Sequence, residues 1–175
     1  MLPLQRVPSL CAHVIDGATT GVLVAAITIA VLAPCAEAWG AGILGHQLRL
    51  VLVGSCHQAP ARCWWLWGHP CALCARCLGL YGGALLGRGM YAAGDWQMPR
   101  LRVSALRSPV IWLALIAALL ADWWLTGHGI LPRALARASL SGLLGGAGWM
   151  LGPHRLLLQG FQRALSRLLC AQATP

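Results

Sequence analysis

The chain is short of charge, and of negative charge above all. Of its 175 residues only 10% are charged, and four are acidic: Asp16, Glu37, Asp95 and Asp122. So few carboxylates argue against paired-acid hydrolysis and against oxygen-lined calcium or magnesium sites. Lysine is missing; all 13 basic residues are arginine, which we read as a compositional bias and not as chemistry. A glycine-rich phosphate loop and a nucleophile elbow are also absent, and Leu78 after Cys77 breaks the Cys-x-x-Cys-His haem attachment pattern. Intrinsic disorder is excluded, because that state needs low hydrophobicity and high charge.

What is abundant is apolar. Hydrophobic residues make up 58% of the chain and the mean hydropathy is +0.68. A soluble domain carries about 25% charged residues, and one this apolar would expose surface that water penalises. The expected fold class is therefore an all-α integral membrane protein. It is a single domain of about four transmembrane helices with a Cys-rich loop and a C-terminal amphipathic helix.

Asp16 and Glu37 bracket an uncharged stretch, 17–36, that at about 1.5 Å per residue crosses about 30 Å of hydrocarbon. It is read as a retained span; Ala36-Glu37-Ala38 also has the small-residue look of a cleavage site. Residues 41–55 are apolar but short, interrupted by His46 and Arg49, and fit an interfacial or re-entrant helix. The second span, 77–94, carries Gly79, Gly83 and Gly87 on one face, a surface for close helix approach. The third, 109–125, starts at Pro109 and ends near Asp122, Trp123 and Trp124. The fourth, 138–152, is glycine-rich. The tail 154–170 puts Leu157, Leu158, Phe161, Leu165 and Leu168 on one face and Arg155, Gln159, Arg163 and Arg167 on the other, the pattern of a helix lying on a membrane.

The net charge is +9, yet the arginines are spread between apolar runs. Lipid headgroups explain that better than nucleic acid does. With the N-terminus inside, four spans put eight arginines inside (Arg6, Arg88, Arg100, Arg102, Arg107, Arg155, Arg163, Arg167) and five outside (Arg49, Arg62, Arg76, Arg133, Arg137). The expectation is a prokaryotic inner (cytoplasmic) membrane protein with its cysteine-rich loop on the outer side. Its expected partners are membrane lipids and either other membrane subunits or a second copy of the chain.

Five of the eight cysteines fall within the 22 residues 56–77: Cys56, Cys63, Cys71, Cys74 and Cys77. Cys56 adjoins His57, and Cys74 and Cys77 have Cys-x-x-Cys spacing at the start of a helix. That spacing lets two sulfurs meet one zinc ion, an iron–sulfur cluster or each other. The helix N-terminus and Arg76 both favour thiolates there. Cys63 and Cys71 either pair as a disulfide in an oxidising compartment or stay as free buried thiols. His69 is a reserve ligand, and Trp64, Trp65 and Trp67 anchor the loop at headgroup level. Asp122 near a span needs a partner, Arg137 or Arg76, and serves either as a brace or as a proton relay.

The segment resembles a prokaryotic membrane-protein family catalogued as domain of unknown function 2085. The residues carrying the likeness are Cys56, His57, Gln58, Pro60 and Arg62, then Cys74, Arg76, Cys77, Gly79, Tyr81 and Gly83. A looser match follows in Asp122, Arg137, Ser141 and Gly142. Cys63 and Cys71 depart from the pattern. The resemblance implies an architecture and a ligand set, Cys56, His57, Cys74 and Cys77. The first functional expectation is thus a membrane-embedded metal or redox-cofactor site holding one zinc or iron ion or an iron–sulfur cluster. Arg62 and Arg76 tune its charge and Gln58 supplies a supporting hydrogen bond. Such a protein is an accessory or electron-transfer subunit of a larger complex. The alternatives are a quinone-linked thiol–disulfide oxidoreductase using Cys74, Cys77 and Cys56, and a helix-packing subunit without chemistry.

Overall fold

The structure, a computed structural model, describes residues 7–95 and 108–173. Among the described residues there are six α-helices: α1 (Val7–Ala38), α2 (Gly42–Leu52), α3 (Ala75–Asp95), α4 (Pro109–Gly127), α5 (Leu135–Leu151) and α6 (Pro153–Ala173). Between α2 and α3 lie a 3-10 turn, Pro60–Arg62, and two strands, β1 (Cys63–Leu66) and β2 (His69–Cys74). Each expected span coincides with a helix. Two of them, over Ser9–Ala38 and Pro109–Gly127, are long and apolar enough to cross a bilayer by length and composition. The helices α3 and α5 fall short of that apolarity or length, being diluted by glycine and arginine. The arginines at 6, 100, 102 and 107, used above for orientation, lie outside the described residues.

Helix α1 ends at Gly40, whose φ of +81° suits only a residue without Cβ strain. There Gly40 N–H donates to Glu37 O and Ala41 N–H to Ala36 O, closing the last turn. The chain then reverses into α2, which at 11 residues, or about 16 Å, is a folded-back helix and not a span. Gly45 lets it lie against α1: a Cβ there would stand 2.9 Å from Ala33 O.

The expected loop holds a β-hairpin. The strands pair antiparallel, Cys63 with Cys74, Trp65 with Pro70 and Leu66 with His69, with an irregularity between Cys63 and Trp65. Its two-residue turn, Trp67-Gly68, has φ of +51° and +80°, the positive pair that a tight hairpin's twist requires. One pin holds the hairpin to the helices. Arg49 Nε and Nη2 donate to Glu37 Oε1 and Oε2 at 2.7 and 2.8 Å, while the same guanidinium donates to Pro70 O and, at 3.3 Å, to Cys71 O.

The central helices are α3 and α5. Their contact is backbone on backbone: a Cβ on Gly79 or Gly83 would collide with the carbonyl of Ser139 or Leu143, and one on Gly142 or Gly146 with that of Arg76 or Leu80. Gly145 and Gly148 on another face of α5, and Gly152 just past its end, receive Leu119, Leu115 and Trp112 of α4. The main core, around Ala30, Ala33, Leu52, Ala72 and Leu73, lies where α1, α2 and the hairpin meet. On α6 the apolar residues Leu157, Phe161 and Leu168 stay exposed.

Candidate metal centre

The hairpin and the α2 turn carry three sulfurs to one place. Cys56 follows α2, Cys74 ends β2, and Cys77 sits in the first turn of α3; their sulfurs all lie within 4.8 Å of one another. Cys56 is buried and the other two are partly buried. Its Sγ accepts backbone N–H bonds from Cys74 at 3.2 Å and Gln58 at 3.5 Å. Hydrogen bonding from the Cys74 and then the Cys77 side chain outweighs burial and brings the Cys56 pKa down to about 2. Cys56 therefore holds the anion of the group.

His57 does not join the sulfurs. It is exposed, although it lines the same cavity. Neighbouring residues of a non-helical chain project to opposite sides, so a buried Cys56 sends His57 outward. The four-ligand expectation reduces to three sulfurs. Gln58 also differs from expectation. Its side-chain amide donates to Arg49 O at 2.8 Å, and its backbone N–H is the group facing the sulfur. A φ of +49° at Gln58 makes that turn.

Of the two readings of Cys63 and Cys71, a disulfide or free buried thiols, the structure has the second. Both thiols are free and buried, in strands whose register sets Cys63 opposite Cys74 instead. Cys63 donates to Ala59 O at 3.2 Å, and burial pushes its pKa up to about 11. Burial raises Cys71 as well. His69 is drawn to Glu37, 3.2 Å away, and not to the sulfurs. Trp65 and Trp67 are exposed, while Trp64 Nε1 donates to Ser139 Oγ at 2.9 Å and ties the hairpin to α5.

Beside the sulfurs a polar node joins three helices. Asp122, whose side chain is 8% exposed, accepts from Arg76 Nη2 and Arg137 Nε, both at 2.7 Å, and from Ser141 Oγ at 2.9 Å. Arg137 reaches Thr126 Oγ1 and Pro132 O as well. With its oxygens filled by two cations and a hydroxyl, Asp122 braces α3, α4 and α5.

Sulfurs and node share a cavity of about 530 Å³. Its wall includes Cys56, Cys74 and Cys77, the arginines at 62, 76, 133 and 137, and apolar residues such as Val53 and Leu135. Two further clusters escaped sequence reasoning, because their members are far apart in the chain and follow no period. One is Glu37, Arg49 and His69. The other, at the far end of the bundle, joins Asp16 to Arg88 and brings His154 Nε2 within 3.5 Å of Asp16.

The sequence profile of a family described as predicted membrane protein (DUF2085) matches residues 56–151. An uncharacterized protein of Methanocaldococcus jannaschii, MJ1492, is 50% identical over 36 residues, which cover 21% of this chain and 23% of that protein. No solved structure matches the chain.

Proposed function

The chain belongs to this family of predicted membrane proteins, and from that premise we propose that it is a helical membrane subunit holding one thiolate-bound metal ion. The observation that carries the reading is the mutual approach of Cys56, Cys74 and Cys77 within 4.8 Å. Around one zinc at about 2.3 Å from each sulfur, tetrahedral ligands stand about 3.8 Å apart, so a small closure completes the site. A four-iron iron–sulfur cluster places each cysteine on its own iron and a two-iron cluster divides them between its irons, so either spreads three sulfurs farther; the spacing favours a single zinc or iron ion. The two backbone N–H groups on Cys56 Sγ are the supporting bonds such ligands use. Three protein ligands leave a fourth position open toward the cavity, the arrangement of a reactive site more than of a closed structural one.

In this reading α1, α3, α4 and α5 cross the membrane, α6 lies on its surface, and the cysteine end faces outward from a prokaryotic cytoplasmic membrane. The exposed apolar flanks of α1 and α4 meet lipid or neighbouring subunits. Metal analysis of the detergent-purified chain tests the proposal. About one zinc or iron per chain is expected, lost in Cys56→Ser and kept in Cys63→Ser. A wild-type chain without metal after zinc or iron supplementation refutes it.

A second reading is favoured by the depressed pKa of Cys56. A thiolate held between two further thiols is the starting arrangement of a thiol–disulfide oxidoreductase. In that case the metal is absent, and a quinone takes two electrons and two protons as a disulfide forms between Cys74 and Cys77. Thiol trapping before and after quinone addition separates the two.

A further inference from the structure

The wall of the cavity beside the sulfurs is too cationic for the metal centre alone. The arginines at 62, 76, 133 and 137 line it, and among the described residues the one carboxylate in contact with any of them is Asp122. Asp122 takes one donor atom from Arg76 and one from Arg137. Arg76 Nε is buried with no hydrogen-bond partner among the described residues. Arg62 and Arg133 are exposed on the cavity wall and form no ion pair among the described residues.

Charge decides the ligand class. A divalent ion on three thiolates carries one negative charge, and Asp122 adds another. Four guanidiniums then leave two positive charges uncompensated. A carboxylate supplies one negative charge, whereas a phosphomonoester supplies about two near neutral pH, with oxygens that match the guanidinium fork. The space of about 530 Å³ is far more than one phosphate needs. Apart from His57, Ser55 and Thr126, the rest of the wall is apolar or small, with Val53, Ala59, Ala61 and Leu135 among it.

We infer that this chamber binds a phosphomonoester with an apolar body, its phosphate on the unpaired arginines and next to the open position of the metal. The inference rests on the proposed metal centre for its charge balance. A lysophosphatidate-like lipid and a soluble phosphomonoester share this chemistry.

The test is equilibrium binding of the full chain in detergent to inorganic phosphate, a soluble aryl phosphomonoester and a short-chain phosphatidate. A short-chain phosphatidylcholine, whose headgroup has no net charge, is the control. Zinc content is read on the same samples. Binding of a phosphomonoester that weakens roughly tenfold or more in Arg62→Gln/Arg133→Gln, with unchanged helical circular dichroism, supports the inference. Phosphatidate binding alone assigns a lipid source, and binding of the aryl compound too assigns a soluble one. Zinc present at about one per chain with no phosphomonoester bound, or bound equally by the double variant, overturns the inference and leaves the metal reading standing. Phosphomonoester bound and lost in the double variant, with no metal, keeps the chamber's assignment and refutes the metal.

Discussion

Replacing Gly83 and Gly82 by alanine in turn adds the same methyl to the same helix at adjacent positions. At Gly82 nothing stands within 4 Å of the added carbon, whereas at Gly83 it collides with the Leu143 carbonyl of α5. In an open position the exchange removes the entropy penalty of a helical glycine and stabilises by about 0.5–1 kcal/mol. At Gly83 the obstacle is backbone, which cannot rotate aside as a side chain can. The helices must part, at an overpacking cost of about 1–3 kcal/mol, and the upper end applies. Set against the same propensity gain, Gly83→Ala loses about 2 kcal/mol. The two variants therefore differ by about 3 kcal/mol, or roughly a hundredfold in unfolding equilibrium constant. Reversible unfolding in mixed micelles, followed by helical circular dichroism, measures the difference. Because Cys77 and Arg76 begin the same helix, Gly83→Ala also weakens metal retention. Equal stability of the two variants would refute the close approach of α3 and α5.

Three further outcomes follow from the geometry. Asp122→Asn strands Arg76 and Arg137 beside each other and costs about 2–4 kcal/mol in the same unfolding assay; a wild-type midpoint rules out the brace. Arg49→Met releases the hairpin from α1 and α2, so hydrogen exchange at Trp65, Leu66 and Leu73 rises while α5 keeps its protection. In the metal-free chain the Cys56 thiolate persists from neutral down to about pH 5, because a pKa near 2 leaves it ionised throughout that range, whereas Cys63 ionises only as the pH passes about 11. The difference in ultraviolet thiolate absorption between the full chain and Cys56→Ser, and between the full chain and Cys63→Ser, reads both with Cys74 and Cys77 in place, and absence of a Cys56-dependent band at about pH 5 contradicts the assignment.

The helices were legible because their signals are local. Asp16 and Glu37 bound the apolar run of α1, and Pro109 opens α4. The four-residue spacing of Gly79, Gly83 and Gly87 announced a packing face before its partner was known. The cysteine trio was legible from spacing, since Cys74 and Cys77 stand three residues apart across the start of α3 and Cys56 opens the same segment. His57 misled because adjacency in sequence was read as adjacency in space. The hairpin was missed because its tryptophans were read as membrane anchors; the cue was the Trp67-Gly68 pair between two apolar runs. Nothing local joins Glu37 to Arg49 or Asp16 to Arg88. Those contacts exist only once the chain has reversed at Gly40 into α2 and the bundle has closed.

The glycine contact of α3 with α5 repeats itself. Gly79 faces Ser139, Gly83 faces Leu143 and Gly87 faces Ala147, each step four residues on in both helices. A ratchet with equal teeth has no preferred notch: sliding one helix by a turn, about 5.4 Å, brings the next glycine under the next carbonyl. Asp122 breaks this degeneracy, since only one notch puts Arg76 of α3 and Arg137 and Ser141 of α5 on the same carboxylate. Together with the Trp64–Ser139 bond, this acidic side chain selects the axial setting of the pair, and with it the height at which Cys77 meets Cys56 and Cys74.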